Sequence, residues 1–171
     1  QSTPIQLCLM TAQIANGGFK IYPKIIVDDK IKDQPIDKFT PLYKDSKNIR
    51  IVQDAMFGST NEVMGTSYRS RINDPKYQFA GKTGTAQVKK ITERDRELDL
   101  KTFQIPYEER DHALYIAFGP YKQPRYALSI LIEHGGNGST TAAPMAKELF
   151  KLVIDRHTYR QSINEKKYLE I

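Results

Sequence analysis

The run Ala80-Gly81-Lys82-Thr83-Gly84-Thr85-Ala86-Gln87-Val88 holds an amine, two hydroxyls and two glycines within nine residues of extended character. Side chains alternate along a strand, so Thr83 and Thr85 share one face and Lys82 takes the other. Two neighbouring hydroxyls suit a carboxylate, which accepts several hydrogen bonds, and an ammonium nearby adds charge complementarity. Gly84 lets a ligand or another backbone lie close against the strand. An edge strand with such a gap can accept an extended peptide as an added strand. The segment therefore reads as a peptide-binding edge, although an ordinary surface strand with a lysine reaching to solvent fits the same tetrapeptide taken alone.

A phosphate-binding loop also ends in Gly-Lys-Thr, but it needs a glycine five positions before Gly81, where this chain has Lys76. That loop also opens a helix, whereas Thr85-Ala86-Gln87-Val88 continues an extended run. The other chemistry-bearing residues offer less. His112, His134 and His157 lack metal-ligand spacing, so neither a metal site nor any other cofactor is expected. His112 reads as structural, with a cleft role as the alternative because it opens the next strand. The single cysteine, Cys8, cannot form an internal disulfide and lies in an apolar helical stretch, where a buried thiol is expected.

Several elements must position the Lys82 strand. Thr3 followed by Pro4 and Gln6 is a capping-box start for a helix over residues 3 to 15, and Asn16-Gly17-Gly18 ends it. Residues 24 to 27 suggest a short strand, and 28 to 48 a surface connection with little regular structure. Ile49, Val52, Met56 and Val63 recur at helical spacing. Ala113 to Phe118 and Tyr126 to Ile132 read as two antiparallel strands around a turn-rich link. Ser139, Thr140 and Thr141 offer caps for a last helix that tolerates Pro144 in its first turn. Ala142, Met145, Leu149 and Leu152 then predict a helix to about His157 that covers the sheet. The segment from Lys89 to Asp111 has six basic and seven acidic residues with few apolar anchors, so it is expected to be a solvated, mobile insert. A lid or docking surface beside the strand is its functional alternative.

The 171 residues, 39% hydrophobic, can bury one core. With 26 basic against 20 acidic residues the formal charge is +6, which would suit nucleic acid or an anionic membrane. No helix-turn-helix, zinc or RNA-binding signature accompanies that charge, so it is read as a solvated surface with no nucleic-acid partner. No apolar run approaches the ~20 residues of a membrane span.

The spaced motifs resemble the transpeptidase domain of class B penicillin-binding proteins. The resemblance rests on Ala80 to Gln87, on His112-Ala113 opening a strand that ends in Phe118-Gly119-Pro120, and on Gly135-Gly136 with Ala142-Ala143-Pro144. Ser2 to Leu7 followed by Ala15-Asn16-Gly17-Gly18 matches the helix ahead of that family's third motif, and the long polar insert is similar to that of the elongation-specific penicillin-binding protein 2 branch.

The resemblance implies an α+β fold in which residues 1 to 157 form the C-terminal portion of the transpeptidase domain, with a polar insert at 89 to 111 and a charged tail at 158 to 171. It implies a peptidoglycan D,D-transpeptidase in which a Ser-x-x-Lys serine attacks the D-Ala-D-Ala end of a stem peptide, and which β-lactams such as penicillin acylate. On that implication Lys82 is catalytic, supporting proton movement and the charge of the site. Thr83 and Thr85 bind the substrate carboxylate, Gly84 gives clearance, and the Thr85 amide is one oxyanion-hole donor.

None of the eight serines has a lysine three positions on, so this stretch alone is expected to be inactive, the serine lying elsewhere in a longer protein. Ser59-Thr60-Asn61 spells the family's second motif but stands after the first helix rather than before it, and is read as coincidence at a helix end. The resemblance further implies the periplasmic side of the bacterial inner membrane, an N-terminal anchor outside this chain, and a membrane glycosyltransferase partner in cell elongation. A cut sheet with bare edges is expected to favour dimers. A β-lactam sensor, a serine β-lactamase-like domain and a noncatalytic interaction module remain as alternatives.

Overall fold

The computed structural model describes residues 2–23, 40–90 and 100–169, with side chains through residue 156. The strand expected at 24 to 27, most of the connection from 28 to 48 and residues 91–99 of the insert lie outside the described residues.

Helix α1 (Pro4–Ala15) starts as the sequence predicts: Thr3 Oγ1 accepts from the Gln6 amide while Gln6 Oε1 accepts from the Thr3 amide at 2.8 Å. Asn16 closes it, and Gly17 and Gly18 follow at φ of 92° and 89°. Helix α2 (Ser46–Asn61) is capped by Asp45, whose carboxylate accepts from the Lys47 amide at 2.8 Å. The regular structure thus begins three residues inside the stretch expected to be irregular. Asp45 is a good cap, and the two turns that follow it hold Ile49, which is buried.

Strands β1 (Ala80–Ala86), β2 (His112–Gly119) and β3 (Tyr126–Ile132) form one antiparallel sheet in the order β1-β2-β3, with Lys82 opposite Ile116 and Thr83 opposite Tyr115. The alternation predicted for the sheet separates two apolar layers. Ala113, Tyr115 and Ala117 face one layer with Phe79, Ala142, Ala146, Phe150 and Ile154; Ile116 and Phe118 face the other with Ile14 and Met56. Helix α1 lies on the second face, where the Cys8 thiol donates to the Ala127 carbonyl at 3.4 Å and partial burial raises its pKa.

The last helix departs from expectation in three ways. Its cap is Asn137, whose Oδ1 accepts from both the amide and the hydroxyl of Ser139 at 2.8 Å, rather than Ser139, Thr140 or Thr141. A π turn (Gly138–Ala142) leads into helix α3 (Ala143–Leu169), which continues beyond His157 through most of the stretch read as a tail. The sheet is covered by Ala143, Ala146, Phe150 and Ile154, whereas Met145, Leu149 and Leu152 are exposed. Small alanines let the helix axis approach the strands at its start, and Phe150 then stacks on Phe79 with ring centroids 4.8 Å apart. Asp155 fixes the helix to the loop ahead of β1, accepting from the Tyr77 hydroxyl at 2.6 Å and pairing with Lys76 at 3.0 Å.

The described limb of the insert is also less free than its composition suggests. It contains two short 3-10 turns (Thr102–Gln104 and Tyr107–Glu109), an ion pair between Lys89 and Glu109 at 2.6 Å, and a bond from the Gly136 amide to the Asp111 carbonyl. Backbone pairing and the Tyr107–His134 ring contact, centroids 5.1 Å apart, supply the anchoring that the sparse apolar residues do not.

Candidate active site

β1 stands at the edge of the three-stranded sheet, and along its outer side every second amide and carbonyl points away from β2. Its position is set from beneath. The Tyr115 ring lies directly under Gly81, in space a Cβ would fill, and its hydroxyl bonds Thr60 Oγ1 at 2.9 Å and Ser67 Oγ at 3.0 Å. This buried trio ties the end of α2 and the turn at Tyr68–Ser70 to the strand. Burial of the Tyr115 phenol raises its pKa, against the lowering effect of its bonds to Ser67 and Thr60.

Lys82 is exposed and borders an open, mainly apolar groove of about 730 Å³ walled by α1, α2 and Ile116. Alternation alone would separate its side chain from Thr83, but the butyl chain bends over the strand edge. Its Nζ donates to the Thr83 carbonyl at 2.9 Å and approaches Thr83 Oγ1 at 3.4 Å. Amine and hydroxyl from opposite faces thereby converge on one edge. Thr85 is exposed one strand repeat along, on the Thr83 face. The cluster can present an ammonium and hydroxyls to an anion, and the outward backbone groups can pair with an extended chain.

Gly84 is approached closely, and by this chain's own backbone: a Cβ on Gly138 would come within 2.6 Å of the Gly84 carbonyl oxygen. A Cβ on Gly84 itself would meet only the Leu114 Cβ, at 3.3 Å, so the glycine this contact demands is Gly138, in the π turn ahead of α3.

Sequence reasoning missed Thr66. Its Oγ1 lies 3.2 Å from Thr83 Oγ1 and 3.2 Å from Ser59 Oγ, making a line of three hydroxyls from the end of α2 to the strand. Residues 17 positions apart in a loop and a strand share no local pattern, so only the fold brings them together. Ser59-Thr60-Asn61 does sit at a helix end, as expected. Thr60 is buried under Tyr115, and Asn61 Nδ2 donates to the Phe57 and Phe79 carbonyls at 3.0 and 2.9 Å. Those two positions hold the fold together, and Ser59 reaches the strand only through Thr66. His112 has a structural partner: its Nδ1 accepts from the His134 amide at 2.9 Å, which supports the positive φ of 54° at His134. Among the described residues no group of three His, Cys, Asp or Glu side chains is arranged to hold a metal.

A profile of the penicillin binding protein transpeptidase domain matches residues 1–151. The chain belongs to this family. It is 30% identical over 166 residues to the peptidoglycan D,D-transpeptidase MrdA of Salmonella typhimurium, covering 90% of this chain and 25% of that protein. It is 32% identical over 157 residues to MrdA of Acinetobacter baumannii, covering 87% and 22%. Among solved structures, PBP2 of Pseudomonas aeruginosa in complex with WCK 5153 superposes with a TM-score of 0.67 at 31% identity, over 89% of this chain and 30% of that one. The complex of PBP2 and MreC from Helicobacter pylori gives a TM-score of 0.64 at 30% identity, over 94% and 25%. The α+β fold and the class B, PBP2-like branch read from the motifs are those of these relatives. The chain spans about a quarter of the length of the curated relatives it matches.

Proposed function

We propose that residues 1 to 157 serve as the C-terminal portion of the transpeptidase domain of a peptidoglycan D,D-transpeptidase, and that Lys82, Thr83, Gly84 and Thr85 form one wall of its active site. The reading rests on the convergence of the Lys82 ammonium and the Thr83 hydroxyl at the exposed edge of β1, beside an open groove.

The stem peptide lies along that edge, with the carboxylate of its last D-Ala received by Thr83 and Thr85. A serine elsewhere in the protein attacks the carbonyl of the penultimate D-Ala. Its proton passes through the lysine-bearing site to the departing D-Ala amine, and an acyl-enzyme remains that the amine of a second stem peptide resolves. The Thr85 amide and the serine's own amide hold the oxyanion of each tetrahedral state. Penicillins enter by the same carboxylate contacts and stay as acyl-enzymes. On the same likeness the protein works at the periplasmic side of the inner membrane with a glycosyltransferase. MreC, which the Helicobacter pylori relative binds, is a further partner to assay.

Fluorescent penicillin tests the reading. The full-length protein is expected to be labelled, and residues 1 to 171 alone are not. In the full-length protein Lys82→Ala should slow acylation by about 10²-fold or more while its melting temperature stays close to the parent's. Equal acylation in that variant would remove Lys82 from the site, and labelling of the isolated chain would show that the nucleophile lies within it.

A further inference from the structure

The polar insert leaves the chain just beyond β1 and returns just ahead of β2, and one residue closes its base. The Asp111 carboxylate accepts from the Val88 amide at 3.2 Å, and the Asp111 carbonyl accepts from the Gly136 amide at 2.8 Å. The β1–β2 ladder ends where Ala86 faces His112. Asp111 therefore stands one step past the last rung and holds the continuation of β1 with its side chain.

These two bonds complete a ring of contacts around Thr85. From Thr85 the backbone runs to Val88, crosses to Asp111, crosses again to Gly136 and continues to Gly138. Gly138 returns the ring to Gly84, since a Cβ on it would lie 2.6 Å from the Gly84 carbonyl oxygen and 3.2 Å from the Gly84 nitrogen. The Gly136 corner is itself fixed: its φ is 78°, and the Thr102 side chain fills the space a Cβ would need. Beside it His134 Nδ1 donates to the Arg110 carbonyl at 3.1 Å, and the His134 amide donates to His112 Nδ1. Within this ring the bond to Val88 is the link that a side chain makes. A strand end open to water frays at little cost, and Thr85 lies only three residues from Val88, so that link decides how steadily Thr85 is held.

We infer that Asp111 is a positioning residue for the carboxylate-binding edge: by holding the exit of β1 it keeps the hydroxyl and the amide of Thr85 in one orientation. The inference rests on the transpeptidase reading of the Lys82 strand and deepens it. Asp111 touches no substrate and acts through the strand, so its effect falls on ligands that use the Thr85 contacts.

The test follows acylation of the full-length protein by benzylpenicillin and by its methyl ester, using mass spectrometry. The parent should react faster with the free acid by about tenfold, the worth of charge-assisted bonds that the ester cannot accept. In Asp111→Ala the acid should slow by about fivefold, the size of one hydrogen bond, and the ester little, so the preference shrinks to about twofold. Asp111→Asn keeps an acceptor for the Val88 amide and should recover most of the preference. Both compounds are compared on the same preparation, so partial unfolding scales them alike and leaves their ratio unmoved. An unchanged ratio in Asp111→Ala overturns the positioning role and leaves the transpeptidase reading standing. If the parent takes acid and ester equally, or neither, the carboxylate-binding edge itself is overturned and the positioning role with it.

Discussion

The hydroxyls of Thr66 and Thr83 lie 3.2 Å apart at β1, the edge strand of the described sheet, and Thr66 is in turn 3.2 Å from Ser59. One hydroxyl between two others has its rotor set from both sides, so Thr66 fixes where the Thr83 hydroxyl can point. Thr66 is therefore a positioning residue. In the full-length enzyme Thr66→Val should weaken acylation by penicillin about fivefold to tenfold, the size of one hydrogen bond, and Thr66→Ser should restore most of the loss. The valine variant should act on the concentration dependence of acylation more than on its limiting rate. An unchanged profile in the valine variant would mean that Thr83 needs no such partner.

Tyr115 carries the strand from below. Gly81→Ala would drive a methyl into the phenol ring, and the ring cannot retreat because Thr60 and Ser67 hold its hydroxyl. Overpacking of this kind costs about 1–3 kcal/mol. Denaturant unfolding should show that loss for Gly81→Ala, and a markedly smaller one when the same change is made on a Tyr115→Leu background. Additive losses would mean that the two residues do not press on one another.

The same phenol gives an alkaline signature. Its pKa in the fold is raised above the ordinary 10.0 by burial, so between the unfolded and folded values the unfolded chain binds fewer protons than the native one. The stabilisation is complete below about pH 10 and is lost as pH climbs through the folded value. Tyr115→Phe should therefore flatten the fall of melting temperature above pH 10 relative to the parent, while lowering stability at neutral pH by about 1–2 kcal/mol for the lost bonds. Parallel curves above pH 10 would contradict the burial effect.

Helix α3 separates two readings of its own apolar residues. Phe150 is fully buried and stacked on Phe79, so Phe150→Ala should cost about 3–5 kcal/mol in chemical denaturation. Met145→Gln and Leu152→Gln, at positions 50% and 63% exposed, should change stability by less than about 0.5 kcal/mol. The reverse ranking would restore the face that hydrophobic spacing alone selects.

That contrast indicates what a sequence discloses and why. Strand β1 was legible from its motif, β2 and β3 because short apolar runs and the turn residues between them are local, and α1 because its capping box is spelled within four positions. The face of α3 was not, since Met145, Leu149 and Leu152 outweigh Ala143 and Ala146 in hydrophobicity, while close approach to a sheet rewards small side chains over greasy ones. Lys82, Thr83 and Thr85 could be named from the motif, but the bend that brings the Lys82 ammonium to Thr83 depends on a side-chain torsion, not on spacing. Thr66 carries no local signal at all. It meets the strand through a hydroxyl contact with Thr83, 17 positions away in the chain.

Asn137 sets the start of the last helix. Its carboxamide oxygen accepts from the amide and the hydroxyl of Ser139, and its carbonyl accepts from Thr140 Oγ1 at 3.3 Å, so it orders the π turn ahead of α3. Loss of a helix-start cap costs about 0.5–2 kcal/mol. Asn137→Ala should destabilise by that amount in chemical denaturation. Asn137→Asp should keep the cap and most of the stability, since a carboxylate accepts the same bonds. Equal losses in the two variants would mean that these cap bonds do not carry the helix start.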